Sequence, residues 1–439
     1  MYSDAIKIIK KLQQQNFKAY FVGGYVRNTI LGKSVKDIDI ATSATTDEIK
    51  KIFSHYHEIG ASFGVINIVT DSGQCFEVAT LREEDNYFDG RHPEKIIYTS
   101  EPLHDAKRRD FTVNAMFYDP VKDEYLDFFN GMKDLKAGIL DSVGDPKKRF
   151  SEDALRILRA VRFAVEYDFS ISNRVTLAIK ESAKLLTKLS AERIREELTK
   201  MLLERNPERA FRLMQKYHIL TEILPEVAVL EGVDQHPDFH PEGDVFEHTM
   251  LMLRHFTLAN SNLAWAILLH DVGKKTKQSY SEDGRVRFYC HEVESGLIAK
   301  KVLKRLKFSK LDSKIIIKAV SDHMRYAHVD QMRKSKWRKI IDYEYFPLEL
   351  ELHRIDCISS NGLMGNYNLL LQRYRECDEL DEVKIEPIVN GKDLIALGFK
   401  PGVIFKKILN DVNEQYLDGN ITSKDEAIKF IKNNFISIN

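Results

Sequence analysis

Along the first 140 positions the apolar residues change spacing several times, which predicts helices interleaved with strands. Residues 3–15 carry apolar side chains three and four apart, the stripe of an amphipathic helix. A strand ending in Phe21-Val22 then meets Gly23-Gly24, a helix that begins near Tyr25 and carries Arg27, a loop, and a second strand bearing Asp37-Ile-Asp39. A Thr/Asp cap opens a helix over 46–53. Segments 65–70 and 74–81 read as paired strands across the turn Asp71-Ser-Gly73. The polar segment 82–93 has little periodicity and is expected to be a mobile loop. From Ser151 onward the spacing is helical, including 152–166, 172–188, 191–203 and 207–216. Two prolines, two histidines and two glycines within 230–243 mark a junction, and a second boundary is expected near 378–390.

Composition narrows the class without altering that layout. At 439 residues the chain exceeds what one core usually serves, so two to four domains are expected. Acidic and basic residues balance at 66 each, so contact with RNA has to come from local basic clusters rather than a bulk positive field. Cys75, Cys290, Cys357 and Cys377 are widely spaced and include no CxxC pair, as expected of thiols in a reducing compartment. The start of the chain has no signal-peptide core, and no apolar run approaches 18 residues. A cytoplasmic protein with no membrane association is the expectation.

The candidate chemistry begins at the double glycine. Gly23-Gly24 lets backbone N–H groups approach an anion, and the helix behind it adds its positive end. On a strand, Asp37 and Asp39 would point to one face and grip one divalent ion. Glu77 is a candidate third carboxylate if its strand lies beside theirs. The cluster Arg108-Arg-Asp-Phe-Thr-Val-Asn114 suits triphosphate and ribose contacts, although a solvated turn leading into a buried element would carry the same residues. On the helix expected from Ser151, Asp153, Arg156, Arg159 and Arg162 recur every third residue. Such a stripe is either a salt-bridged surface or a donor–acceptor pair that meets the edge of a base.

Taken in order, Gly23-Gly24-Tyr-Val-Arg27, Asp37-Ile-Asp39, Arg108-Arg-Asp-Phe-Thr-Val-Asn114 and Glu152-Asp-Ala-Leu-Arg156 resemble successive motifs of the class II tRNA nucleotidyltransferases, within the polymerase β-type superfamily. That family includes CCA-adding enzymes, A-adding and CC-adding relatives, and bacterial poly(A) polymerases. The resemblance implies Mg²⁺ on the catalytic Asp37 and Asp39, and nucleotide phosphate or sugar contacts from Gly24, Arg27, Arg109 and Asp110. It also implies that Asp153 and Arg156 pair with the incoming C or A, assisted at the phosphates by Arg159 and Arg162. In this family a flexible loop before Arg-Arg-Asp serves addition of the terminal A and is shortened in CC-only enzymes. Residues 82–93 look full length.

Downstream, Ala266-Ile-Leu-Leu-His-Asp-Val-Gly-Lys274 delivers adjacent His270 and Asp271 from an apolar helix, with further candidates at His248, His291, His323 and Asp356. Together these resemble the HD phosphohydrolase superfamily. The resemblance implies His248, His270, Asp271 and Asp356 as primary metal ligands, with His291 and His323 completing a second position or binding phosphate. Mixed imidazole and carboxylate donors suit Mn²⁺, Ni²⁺, Co²⁺ or Fe²⁺ better than Mg²⁺.

The expected fold is therefore α+β: a polymerase β-like nucleotidyltransferase head with a mixed sheet (1–140), then a helical neck with a nucleobase-recognition helix (141–229), an HD-type helical domain (230–380) and a helical tail (381–439). CCA addition to tRNA 3′ ends from CTP and ATP is the leading function, ahead of A-only addition and poly(A) synthesis. An HD phosphohydrolase whose head only binds nucleotides is the alternative of a different class.

Overall fold

The computed structural model describes residues 1–35, 37–58, 64–87, 93–381 and 388–435. The chain forms two compact units, Met1–Ala228 together with Arg305–Lys307, and Val229–Lys304 together with Phe308–Asn439.

In the first unit α1 (Tyr2–Gln14) buries Ala5, Ile8, Ile9 and Leu12, the apolar stripe of its sequence. Then come β1 (Ala19–Val22), α2 (Gly24–Ile30), β2 (Asp39–Thr42), α3 (Thr46–Ile52), β3 (Tyr56–His57), β4 (Val65–Val69) and β5 (Cys75–Thr80). The cap of α3 is a reciprocal Thr45–Glu48 pair, which satisfies two orphan N–H groups of its first turn. With β8 (Phe117–Asp119) and β9 (Glu124–Leu126) the strands build a seven-stranded sheet in the order β3-β4-β5-β2-β1-β8-β9. Only β2 and β5 run parallel; the other neighbours are antiparallel. The register Ile40↔Val78 sets the start of β2 next to the middle of β5, so Asp39 and Glu77 are lateral neighbours.

Within 82–93, where the polarity led to the expectation of a mobile loop, the described residues 82–87 and 93 lie in paired strands. β6 (Arg82–Tyr87) and β7 (Pro93–Tyr98) pair antiparallel from Arg82↔Tyr98 to Tyr87↔Pro93, and residues 88–92 between them lie outside the described residues. A two-stranded ribbon draws its order from backbone hydrogen bonds, and hydrophobic periodicity does not report those.

After α4 (Pro102–Lys107), a 3-10 turn over Thr112–Asn114, α5 (Gly131–Ala137) and β10 (Ile139–Leu140), the chain becomes helical. The helix expected over 152–166 is two. α6 (Pro146–Glu152) ends at Asp153, whose φ of −147° and ψ of 104° are extended, and α7 (Leu155–Glu166) starts two residues later. Asp153 therefore does not sit on the arginine helix; it precedes the N-cap Ala154, and its Oδ1 accepts the N–H of Leu155 at 3.0 Å. Following β11 (Ser170–Ile171), α8 (Asn173–Ser182), α9 (Ala191–Leu202), α10 (Pro207–Lys216), α11 (Ile219–Ile223) and α12 (Pro225–Ala228) complete the unit.

The second unit holds α13 (Val245–His255), α14 (Ser261–Leu269), α15 (Lys274–Lys277), a hairpin of β12 (Ser279–Tyr280) and β13 (Val286–Arg287) that the spacing did not reveal, α16 (His291–Arg305), α17 (Lys310–Asp322), α18 (Lys334–Ile341), α19 (Phe346–Ser359) and α20 (Gly365–Asp381). α14 is buried along its whole apolar face, Leu263 through Leu269, which makes it the central helix. Beyond it α21 (Gly391–Ala396), α22 (Val403–Leu417) and α23 (Lys424–Phe435) share a core of Leu394, Ile408, Val412 and Ile431. Among the described residues no helix is long and apolar enough to cross a membrane.

Candidate active sites

The first unit contains a cavity of about 490 Å³ lined in part by residues of β2 and β5. Gly23, Gly24 and Arg27 form one part of its wall, Asp39 and Glu77 another, and Arg109, Asp110 and Asn114 a third. Asp153, Arg156 and Arg159 face them from the joint between α6 and α7. Asp37 precedes β2 rather than lying on it, and lines an adjoining cavity together with Asp39 and Glu77. The three carboxylates thus converge through the loop entering β2 and the neighbouring strand, not through strand alternation alone. Burial lifts the Asp39 carboxyl above its usual pKa; Arg109 offsets part of that and Asp37 adds to it. Burial and then the Asp39 charge do the same to Glu77. Carboxylates that raise one another in this way form a site whose charge a cation would balance.

Gly23 adopts φ +62°, a conformation that costs a side-chain-bearing residue, and a Cβ there would come within 3.4 Å of Arg109 Nη1. The arginines around it are held before any ligand arrives. Arg27 is buried; its Nη1 donates to Asn114 Oδ1, and its Nη2 to the Tyr167 hydroxyl at 2.5 Å. The Tyr167 ring lies 4.1 Å beneath the guanidinium. Arg109 donates through Nε and Nη2 to Asp105 Oδ2 at 3.1 and 3.0 Å, and through Nη1 to the Asn114 carbonyl at 3.1 Å. Asp110 accepts from Asn114 Nδ2 at 3.1 Å and from Arg159 Nε at 2.7 Å. Burial opposes its ionisation, yet Arg159, Asn114 and Arg156 hold its pKa down to about 2.

That shift has a measurable consequence. A carboxyl depressed in the folded protein contributes stability above its ordinary pKa near 4 and loses it as the pH falls towards 2. Asp110→Asn is therefore expected to unfold at lower denaturant than the parent at pH 7, and to lose stability less steeply between pH 4 and 2. Urea midpoints measured across that range check it.

On the other wall Arg156 donates to Glu152 Oε2 at 2.8 Å, to the Arg149 carbonyl at 3.1 Å and to the Arg108 carbonyl at 2.8 Å. Asp153 Oδ2 accepts from Arg193 of α9 at 2.8 Å. Arg162 does not reach this cavity: its Nε donates to Glu197 at 2.7 Å and its Nη1 to Glu166 at 2.8 Å. Tyr167 and Arg193 escaped the sequence reading because their partners lie 140 and 40 residues away, and neither stands in a motif.

In the second unit all six residues singled out by the HD resemblance meet at one place. His270 and Asp271 end α14, His248 lies in α13, His291 opens α16, His323 follows α17, and Asp356 lies in α19. Their ligand atoms are close: His248 Nε2 to Asp356 Oδ1 is 3.1 Å, His270 Nε2 to Asp271 Oδ2 is 3.1 Å, and His291 Nε2 and His323 Nε2 are 3.2 and 3.7 Å from Asp271 Oδ1. Yet the Nε2 atoms of His248, His270 and His291 and the Oδ1 of Asp271 are buried with no hydrogen-bond partner. Burial keeps His323 neutral, with a pKa near 3, while the neighbouring His270 and Lys274 hold the Asp271 carboxyl well below its usual pKa against burial. Lone pairs aimed inward around a fixed negative charge are the donor set of a transition-metal site. Lys274 Nζ donates to Gln235 Oε1 at 2.7 Å and pairs with Asp271 Oδ2 at 2.7 Å. A cavity of about 400 Å³ opens over the cluster, with Phe239, Arg285, Arg287, Phe288 and Tyr289 among its walls.

Comparison with known proteins places this geometry in a lineage. A curated CCA-adding enzyme of Ligilactobacillus salivarius is 34% identical over 429 residues, spanning 97% of this chain and 95% of that protein. The chain belongs to the CCA-adding enzyme family of class II tRNA nucleotidyltransferases. The CCA-adding enzyme of Streptococcus mutans is 32% identical over 97% of the chain and 96% of its own length. Family models match in three places: the poly A polymerase head domain over 19–141, a probable RNA and SrmB binding site of polymerase A over 168–230, and tRNA nucleotidyltransferase domain 2 over 288–431. Among solved structures, the Bacillus stearothermophilus CCA-adding enzyme in complex with CTP superimposes with a TM-score of 0.70 at 26% identity, covering 99% of this chain and 97% of that one. A mixed-sheet head followed by helices is thus the family architecture. The first cavity opens within the span of the head match and the helices that follow it.

Proposed function

We propose that the first unit adds C, C and A in turn to tRNA 3′ ends, using CTP and ATP. The observation that carries this reading is one cavity joining the Asp39–Glu77 carboxylates to Arg27 and Arg109 on one side and to Asp153 and Arg156 on the other. Family membership supports it. Asp37 and Asp39, with Glu77 as third carboxylate, would hold Mg²⁺, which when bound brings the RNA 3′-OH to the α-phosphate and neutralises the leaving pyrophosphate. The chain's own groups do the rest. Gly24 offers backbone N–H near the phosphates, and Arg27 and Arg109, already clamped by Asn114, Tyr167 and Asp105, supply fixed positive charge where negative charge develops. Asp110 meets the sugar. Asp153 accepts from, and Arg156 donates to, the edge of the incoming base, so the protein replaces a template strand. Arg159 serves the phosphate side; Arg162, expected there as well, pairs with Glu166 and Glu197.

Purified protein incubated with tRNAs ending at the discriminator base, at C or at CC, with CTP and ATP separately and together, tests this. Completion of CCA on all three is the expected outcome. Extension of the CC-ended substrate alone would make it an A-adding enzyme, and long A tracts on unrelated RNA a poly(A) polymerase. The described ribbon β6–β7 supports the full-length reading of 82–93, against an enzyme that stops at CC. Among the described residues the four cysteines form no disulfide, and a reducing cytoplasm is the proposed setting.

The second unit is read as an HD-type metal-dependent phosphohydrolase, on the strength of the orphaned buried ligand atoms around Asp271. His248, His270, Asp271 and Asp356 would hold the first ion and His291 and His323 a second position, with Mn²⁺, Ni²⁺, Co²⁺ or Fe²⁺ favoured by the imidazoles. When bound, such an ion supplies a hydroxide nucleophile at neutral pH. Lys274 and the arginines of the β12–β13 hairpin stand where a phosphoester would need positive charge. This reading divides the chain into a head (1–140), neck (141–229), HD domain (230–380) and tail (381–439).

A further inference from the structure

A histidine serves as a metal ligand when one ring nitrogen is tied down and the other presents its lone pair. Three histidines of the second unit receive that tie from their own chain. Nδ1 of His270, His291 and His323 lies 2.8, 2.8 and 2.7 Å from the carbonyl three residues earlier, at Ile267, Phe288 and Val320. His248 is different. The carbonyl three residues before it, that of Val245, is taken by the Thr249 hydroxyl at 2.9 Å. Its Nδ1 instead lies 2.6 Å from Oε1 of Glu242, a residue outside the helices, in the loop that precedes α13.

From this contrast we propose that Glu242 is the positioning residue that fixes His248 as a metal ligand, an inference that rests on the metal-site reading above. Glu242 is enclosed, its side chain 9% exposed, and the same Oε1 takes Nδ1 of His240 at 2.9 Å. A carboxylate acceptor imposes the Nδ1–H form on His248 and so leaves the Nε2 lone pair facing Asp356 Oδ1 at 3.1 Å. Being charged, it also makes the imidazole a stronger donor than a carbonyl partner does. The loop is built to hold that carboxylate in place. Gly243 takes φ +126°, and Asp244 beside it accepts from Glu247 N at 2.8 Å and from Gly232 N at 2.6 Å, which anchors both ends of the turn.

Titration of the full-length, metal-stripped protein with Co²⁺, followed by the d–d absorption bands and by calorimetry, tests the role. Glu242→Ala is expected to weaken Co²⁺ binding about 10- to 100-fold and to alter the band pattern, the scale on which outer partners of ligand histidines act. Glu242→Gln keeps an acceptor at His248 Nδ1 without the charge and is expected to recover most of the affinity, with circular dichroism unchanged in both. Parental affinity and spectrum in Glu242→Ala would overturn the proposal, and so would equal losses in the Ala and Gln variants. If the parent itself takes up no Co²⁺, the metal-site reading fails and this role with it.

Discussion

Asp39→Ala is expected to lower nucleotide addition at least about a thousandfold, leaving CTP and ATP affinity within about tenfold. Stabilising transition-state charge at a metal-assisted phosphoryl centre is worth several kcal/mol, and each 1.36 kcal/mol is a factor of ten in rate. Asp39 stands at the start of β2, between the two cavities that share the carboxylates, so its loss removes the charge that Asp37 and Glu77 cannot replace from their positions. The nucleotide keeps Arg27 and Arg109, which are clamped by Asn114 and Asp105 independently of Asp39. Single-turnover extension of a CC-ended tRNA with ATP, beside equilibrium nucleotide binding, separates the two effects. A parental rate in the variant would show that Asp39 does not carry the addition step.

The complementary variant, His270→Ala with Asp271→Ala, is expected to abolish metal-stimulated phosphodiesterase activity while nucleotide addition stays within about twofold. Asp271 is the hub of the cluster: His270, His291, His323 and Lys274 all lie within 4 Å of its oxygens. Removing it together with His270 takes the central charge and one lone pair from both candidate positions. Hydrolysis of bis(p-nitrophenyl) phosphate with Mn²⁺, Ni²⁺ or Co²⁺, measured beside tRNA extension, gives both readouts. Loss of both activities with unchanged circular dichroism would sink the model of two independent sites.

What could be read from the sequence divides along physical lines. The double glycine, the Asp-x-Asp pair and the Arg-Arg-Asp cluster stood out because their chemistry is written within a few residues; the fold brings Gly23, Gly24, Asp39, Arg108, Arg109 and Asp110 to one cavity and Asp37 to the adjoining one. The six candidates His248, His270, Asp271, His291, His323 and Asp356 were singled out for the same reason, each marked by a short local pattern, and they cluster in the second unit. The β6–β7 ribbon was not legible, since polar strands ordered by backbone pairing leave no apolar alternation. Nor was the joint at Asp153. Helical spacing runs unbroken through 152–166, and only the backbone turn at Asp153 shows that α6 and α7 are separate. The groups that clamp the functional side chains, such as Tyr167, Arg193 and Glu242, come from other elements, and the sequence pairs them with nothing.

The joint between α6 and α7 gives Asp153 two employers. One oxygen accepts the Leu155 N–H, the other is steadied by Arg193, and the same carboxylate faces the cavity. On the proposed role of Asp153 in base choice, changing it to an apolar residue would also remove its hydrogen bond to the Leu155 N–H, worth about 1 kcal/mol. On the proposed role, selectivity and local fold are coupled at one position. Asparagine or serine, which can still accept the Leu155 N–H, are then the substitutions through which new base preferences are most readily reached.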